Sequence, residues 1–215
     1  MGCLKKLCGF IVFISIIYVF FAFGGFSFVK NKYTEYTSPT REVIVEEEKD
    51  FGNLENISDN YILSRSLNFF GYRKLNAYYF PKKQRITILD LNESNILTNQ
   101  DFENGNLEKK LEEFSSKWTT SPIFPVNNIK ITHRGKIKAG DKKISYAEFE
   151  ANVKMIPFFK AKGTVAIYET QNKENFIQKI KKNSTTTPKL VISAKFPTGY
   201  DYSVTKNFIS ELRFN

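Results

Sequence analysis

Residues 7–29 form 23 consecutive positions without a charge, built from Leu, Ile, Val, Phe, Tyr, Gly, Ala, Cys and Ser. As a helix rising about 1.5 Å per residue the stretch reaches roughly 34 Å, against a hydrocarbon core of about 30 Å. A run of that length reads as a membrane span and decides where the rest of the chain resides. Lys5 and Lys6 precede it, and Ala22-Phe23-Gly24 and Gly25-Phe26-Ser27 carry small residues at the spacing signal peptidase prefers. A signal peptide has an apolar region of about 7–15 residues, however, and this one keeps its hydrophobicity past both sites. The reading is an uncleaved signal-anchor from Leu7 to Val29, with a cleaved signal peptide as the alternative. Lys30 and Lys32 nearly balance the basic front. The short head favours a cytoplasmic N-terminus, which puts the following domain on the periplasmic or cell-surface side.

Three segments are expected: the anchor at 1–29, a charged polar tether at 30–60, and one extracytoplasmic domain at 61–215. The tether is inferred from Thr, Ser and Pro followed by Glu46-Glu47-Glu48-Lys49-Asp50, a self-repelling composition with few apolar residues. The remaining length suits one domain. Both cysteines, Cys3 and Cys8, lie at the anchor, so the domain has neither disulfide nor thiol chemistry. Met1-Gly2-Cys3 lacks the Ser or Thr at position 6 that myristoylation prefers. The Lys, Asn and Ile bias points to an AT-rich bacterial genome. The chain carries +10 overall, and residues 121–215 hold 17 basic against 7 acidic residues. That excess suits an anionic surface, lipid or cell-wall polymer.

From residue 61 the chain becomes apolar. Ile62, Leu63, Leu67 and Phe70 fall at helical spacings. Residues 73–80 and 85–91 read as strands joined by a turn at Pro81. Leu107, Leu111, Phe114 and Trp118 mark an amphipathic helix capped near Asn106. In 129–153, Ile129, Ile131, Gly135 and Ile137 alternate with polar residues, as do Ala147, Phe149, Ala151 and Val153. Aligning these apolar sets predicts a three-residue loop, Gly140-Asp141-Lys142, with Arg134 opposite Glu148 and Lys136 opposite Tyr146. A strand over 163–169, a short helix over 173–182, a strand through Leu190, Ile192, Ala194 and Phe196, and a helix with Val204, Phe208, Ile209 and Leu212 complete the chain. Asp201 or Ser203 is the expected cap of that last helix.

The fold class that follows is α+β, an antiparallel sheet with helices packed on it. From about residue 73 the element order resembles the PsbP-like fold, in which a hairpin, a helix and an antiparallel meander are closed by a C-terminal helix. The stretches carrying this likeness are Lys143-Ile-Ser-Tyr-Ala-Glu-Phe-Glu, Gly163-Thr-Val-Ala-Ile-Tyr, Leu190-Val-Ile-Ser-Ala-Lys-Phe and Phe208-Ile-Ser-Glu-Leu-Arg-Phe. The helix over 173–182 departs from it. The resemblance implies an architecture and no activity for named residues.

Chemistry-bearing motifs are sparse. His133, the only histidine, falls on the apolar face of its strand and reads as a packed or rim residue. One His and no Cys in the domain leave no zinc or iron ligand set. Asp90, Glu93, Asp101 and Glu103 do not keep the order of a calcium loop. No phosphate-cradling or dinucleotide fingerprint occurs, so no cofactor is expected. Glu148 and Glu150 share a strand face and are the carboxylate pair of an alternative reading as a small hydrolase. Lys130, Arg134, Lys136 and Lys138 form a basic stripe suited to an anionic lipid or polymer. With Tyr146 it could also take nucleic acid, a partner excluded by display outside the cytoplasm. The leading expectation is a non-catalytic binding or assembly module with a protein partner in the envelope.

Overall fold

The computed structural model describes residues 39–66, 73–91, 97–103, 105–117, 126–154, 156–171, 186–195 and 199–214. The chain divides after residue 40, and every element below belongs to the unit from Arg41 onward. In order these are α1 (Arg41–Glu47), β1 (Tyr61–Ser66), β2 (Lys74–Tyr79), β3 (Gln84–Asp90), α2 (Asn99–Glu103) and α3 (Leu107–Lys117). They are followed by β4 (Val126–Ala139), β5 (Lys142–Val153), β6 (Ile156–Gln171), β7 (Thr186–Lys195) and α4 (Tyr202–Glu211). The strands form one antiparallel sheet in the order β1-β2-β3-β7-β6-β5-β4. The α+β class is therefore observed. Among the described residues no helix is long and apolar enough to cross a membrane, and the stretch 7–29 lies outside them. The expected helix at 173–182 and Trp118 lie outside them as well.

Both faces of the sheet are buried. On one, α1 and α4 cover Tyr61, Leu75, Ile86, Ile88, Tyr146, Ala166, Tyr168 and Val191, with Phe208 and Ile209 of α4 at the centre. On the other, α2 and α3 cover Phe149, Val165, Ile167, Leu190 and Ile192 with Phe102, Leu107, Leu111 and Phe114. Each long strand thus feeds two cores, as in β5, where Ile144 and Tyr146 enter the first and Ala147, Phe149 and Ala151 the second.

A bulge makes this two-sidedness work in β4. Ile131 pairs with Phe149, but His133 pairs with Glu148, so Thr132 is an extra residue that turns the strand over. Ile129 and Ile131 then face α3, while Ile137 and Ala139 face the opposite core. The expected register is corrected accordingly. The loop has two residues, Gly140 and Asp141, and pairs Ala139 with Lys142, Lys136 with Ser145 and Arg134 with Ala147. Gly140 has φ of 59°, as the first position of a II′ turn requires. A three-residue loop requires one unbroken apolar face along each strand, and the bulge at Thr132 breaks that face in β4. A second bulge near Asn128 (φ 52°) frees the Ile129 N–H, which donates to Glu112 Oε1 of α3 at 2.9 Å.

Two further expectations are corrected. Residues 61–66 are strand β1, not helix: Tyr61 and Leu63 point inward and Ile62 outward at the free edge. From residue 41 onward the expected tether is part of the domain, because Ile44, Phe51, Leu54 and Ile57 are buried in the first core. Its charges occupy the outer side of α1 or pair with Arg65 and Arg73.

The remaining elements follow the sequence. The turn between β2 and β3 is a short 3-10 stretch, Phe80–Lys82, closed by Lys83 in the left-handed region. Asp201 caps α4, its carboxylate accepting from the Ser203 N–H at 2.9 Å. Gln84 holds that end to β3, donating to the Asp201 carbonyl and accepting from its N–H, each at 3.0 Å. The buried Tyr200 hydroxyl meets Thr164, Thr205 and the Ser193 carbonyl, and burial pushes its pKa up to about 12.

Candidate functional site

Three regions of the domain carry polar or exposed apolar groups in unusual settings. The first is the basic stripe. The Thr132 bulge divides it: Lys130 lies beside Glu150 on the α4 side, whereas Arg134 and Lys136 lie on the side of α2 and α3. Arg134 reaches Glu108 at 3.4 Å and the Phe102 carbonyl at 3.1 Å, and Lys136 lies 3.6 Å from Glu103. Lys138 follows them on that side and is exposed. The four residues do not form one continuous surface.

Glu148 and Glu150 do share the α4 side, and each meets its own lysine. Lys206 of α4 donates to Glu148 at 2.9 Å, and Lys162 of β6 donates to Glu150 at 2.9 Å. The Lys162 hydrogen bond holds the Glu150 carboxyl below the ordinary range. A general acid for glycoside hydrolysis needs the opposite shift. His133 sits exposed at the bulge, its ring 5.8 Å from that of Tyr146. Among the described residues no group of three or more His, Cys, Asp or Glu is placed to hold a metal. Asp90, Asp101 and Glu103 instead meet Lys189, Lys110 and Lys136 respectively, and Glu93 lies outside the described residues.

The second region lies on the first core, on the α1 side of the sheet. Across three neighbouring strands, Asp90, Lys189 and Tyr168 form a row beneath Phe51. Lys189 is wholly buried and its ammonium lies 2.6 Å from Asp90. Burial pushes the Lys189 pKa down, and the Asp90 bond opposes that shift. Above, the Arg73 guanidinium bridges Glu48 and Asp50 at 2.6 Å each, and Arg73 and Lys189 lie 5.2 and 5.3 Å from the Phe51 ring centre. Tyr168 donates to the Phe51 carbonyl at 2.5 Å. No local sequence signal exposes this arrangement, because Lys189 reads as the polar start of a strand. Beside it opens a cleft of about 300 Å³ lined by Lys49, Lys142, Arg213, Glu55, Thr170 and Phe214, among others. Lys142 donates to the Glu169 carbonyl and lies over the Phe214 ring. Three cations against one carboxylate suit an anion, held at an open surface.

The third region is the opposite end of the sheet. Between the pairs Asn152–Lys160 and Val153–Ile156, residues 157–159 bulge out of β6. Phe158 is 95% exposed there and Phe159 51%. The β2–β3 turn presents Phe80, 66% exposed. The sequence signal was present: Pro157 and two adjacent Phe break the alternation of a strand, so both cannot be inward.

Neither a comparison with protein-family models nor one with curated proteins finds a match to this chain.

Proposed function

We propose that the chain is a single-pass membrane-anchored protein whose α+β domain lies outside the cytoplasm and acts there as a binding or assembly module. The observation that carries this reading is the uncharged stretch 7–29 ahead of a folded unit that begins at Arg41. A binding role is favoured because the candidate carboxylates are engaged in ion pairs, while large apolar side chains are displayed at one end of the sheet. The hydrolase alternative requires one carboxyl of the pair to act as a protonated acid, and the Lys162 hydrogen bond shifts Glu150 the other way, while Glu148 is held by Lys206.

The test is the N-terminal sequence and intact mass of the protein from carbonate-washed membranes, with impermeant labelling of a cysteine placed at exposed Lys143 in a chain carrying C3S and C8S. A full-length chain in the pellet, labelled in intact cells with a permeable outer layer, is expected. A soluble product beginning after Gly24 or Ser27 overturns the anchor, and labelling only after inner-membrane lysis overturns the orientation.

A further inference from the structure

We infer that the end of the sheet bearing Phe80 and Phe158 is a membrane-contacting face that seats the domain on an anionic bilayer. Ladder registers place these residues together. Tyr61 pairs with Tyr79, and Tyr79 with Gln84. The pairs Thr87–Ile192 and Lys195–Lys162 bring the end of β7 level with Gln84. The β5–β6 hairpin extends further in the same direction. The turn carrying Phe80 and the tip carrying Phe158 therefore project from one end.

Their surroundings suit lipid headgroups. Lys82 and Lys83 flank Phe80, Lys154 and Lys160 flank Phe158, and all four are exposed. Of the acids at this end, Glu150 is bonded to Lys162 and Asp201 caps α4, while Asp59 is exposed 3.7 Å from Arg41, and the four lysines outnumber it. An apolar ring at a tip with ammonium groups around it inserts its ring below the headgroups while the lysines stay at the phosphate level. Each lysine near an anionic leaflet contributes attraction that falls off within a Debye length.

The course of the chain points the same way. Arg41 donates to the Tyr61 carbonyl at 3.2 Å and to the Ile57 carbonyl, so the domain begins at this end of the sheet. Residues 30–40, eleven in number, separate it from the stretch 7–29. Fully extended they reach about 37 Å at most, a length short enough to let this end of the domain meet a bilayer that holds 7–29. The occupant of this face is therefore the headgroup region of the chain's own membrane. The inference rests on the anchored reading for its direction, and the experiment separates the two.

Full-length chain is reconstituted into phosphatidylglycerol-rich vesicles containing brominated lipid. Tryptophan is placed at the face (F158W or F80W) or at the far end (K143W), and native Trp118 supplies a constant background. F158W and F80W are expected to shift to the blue and to quench about twofold more than K143W, with the excess lost in vesicles of neutral lipid. Equal quenching at all three positions, in protein that stays in the carbonate-washed pellet, overturns the face and leaves the anchor intact. If carbonate releases the chain, flotation decides. Co-flotation with anionic vesicles that weakens about tenfold in F158S supports the face without the anchor. Unchanged flotation in F158S overturns it. Unquenched F158W together with crosslinking between copies at position 158 assigns the tip to a second copy and also overturns the proposal.

Discussion

The two faces of the sheet are filled in different ways. Under α2 and α3 the hydrophobic cluster is mostly Leu, Ile, Val and Phe, and the polar groups beside it bond locally or to the start of β4: Asp101 to Lys110 and Thr98, Thr87 to Asn76, and Ser115 and Glu112 to Val126 and Ile129. Under α1 and α4 the filling is threaded with polar groups that each meet a named partner. Tyr61 donates to the Val204 carbonyl, Tyr168 to the Phe51 carbonyl, Ser193 to the Arg85 carbonyl, and Lys189 lies against Asp90. Aliphatic packing tolerates small rearrangements provided volume is kept. A buried polar group satisfied at one position only does not, because a shift exposes its desolvation cost. The face under α1 and α4 therefore fixes where the N-terminal segment and the last helix dock, and the face under α2 and α3 supplies bulk.

The largest break in this contrast is K189M, which takes from Asp90 the ammonium it faces inside the protein. It is expected to lower stability by about 3–5 kcal/mol in urea unfolding. The double variant K189M/D90L is expected to recover most of the loss; no recovery would show that the pair is not the unit at issue. Next comes G163A. A Cβ at Gly163 would lie 2.3 Å from the Phe149 ring and 2.7 Å from the Ser193 carbonyl, so overpacking costs about 1–3 kcal/mol. Thermal unfolding reads it, and F149L in the same chain is expected to restore part.

D201A removes the cap of α4 and costs about 1 kcal/mol, with D201N nearly neutral. The smallest effect is pH-dependent. Burial raises the Asp101 pKa, but bonds from Lys110 and Thr98 more than offset this, and the net shift is downward from 3.8. A lowered carboxyl value gives stability present above the unfolded pKa and lost as pH falls through the folded one. The acid limb of the stability profile, from just above pH 3.8 downward, is expected to be shallower in D101N than in the parent. An unchanged limb would place that acid sensitivity elsewhere.

How much of this was readable from sequence depends on whether a residue's role is local. The β2–β3 hairpin, α3, α4 and its Asp201 cap follow from alternation, helical spacing and capping chemistry, all short-range. Strand β1 was hidden by the exposed Ile62, which fills an outward position with an apolar side chain and imitates a helical pattern. The segment from Arg41 looked like a tether because four buried residues, Ile44, Phe51, Leu54 and Ile57, are spread among charges whose partners lie far along the chain. The basic stripe failed as a surface for a related reason. Alternation shows that residues alternate, but not where a bulge reverses them. Lys189 was invisible because its carboxylate lies on another strand.

The bulges of β4 have a consequence for coexistence with other copies. At 14 residues β4 is one of the longest strands and lies at an edge of the sheet. A smooth edge of that length offers a regular series of N–H and C=O groups on which another strand can grow. Here the series is interrupted near Asn128 and at Thr132, and its donors and acceptors change direction partway along. No second chain can pair along its full length without matching both irregularities. The device that lets one strand serve two cores also guards the edge against templated aggregation.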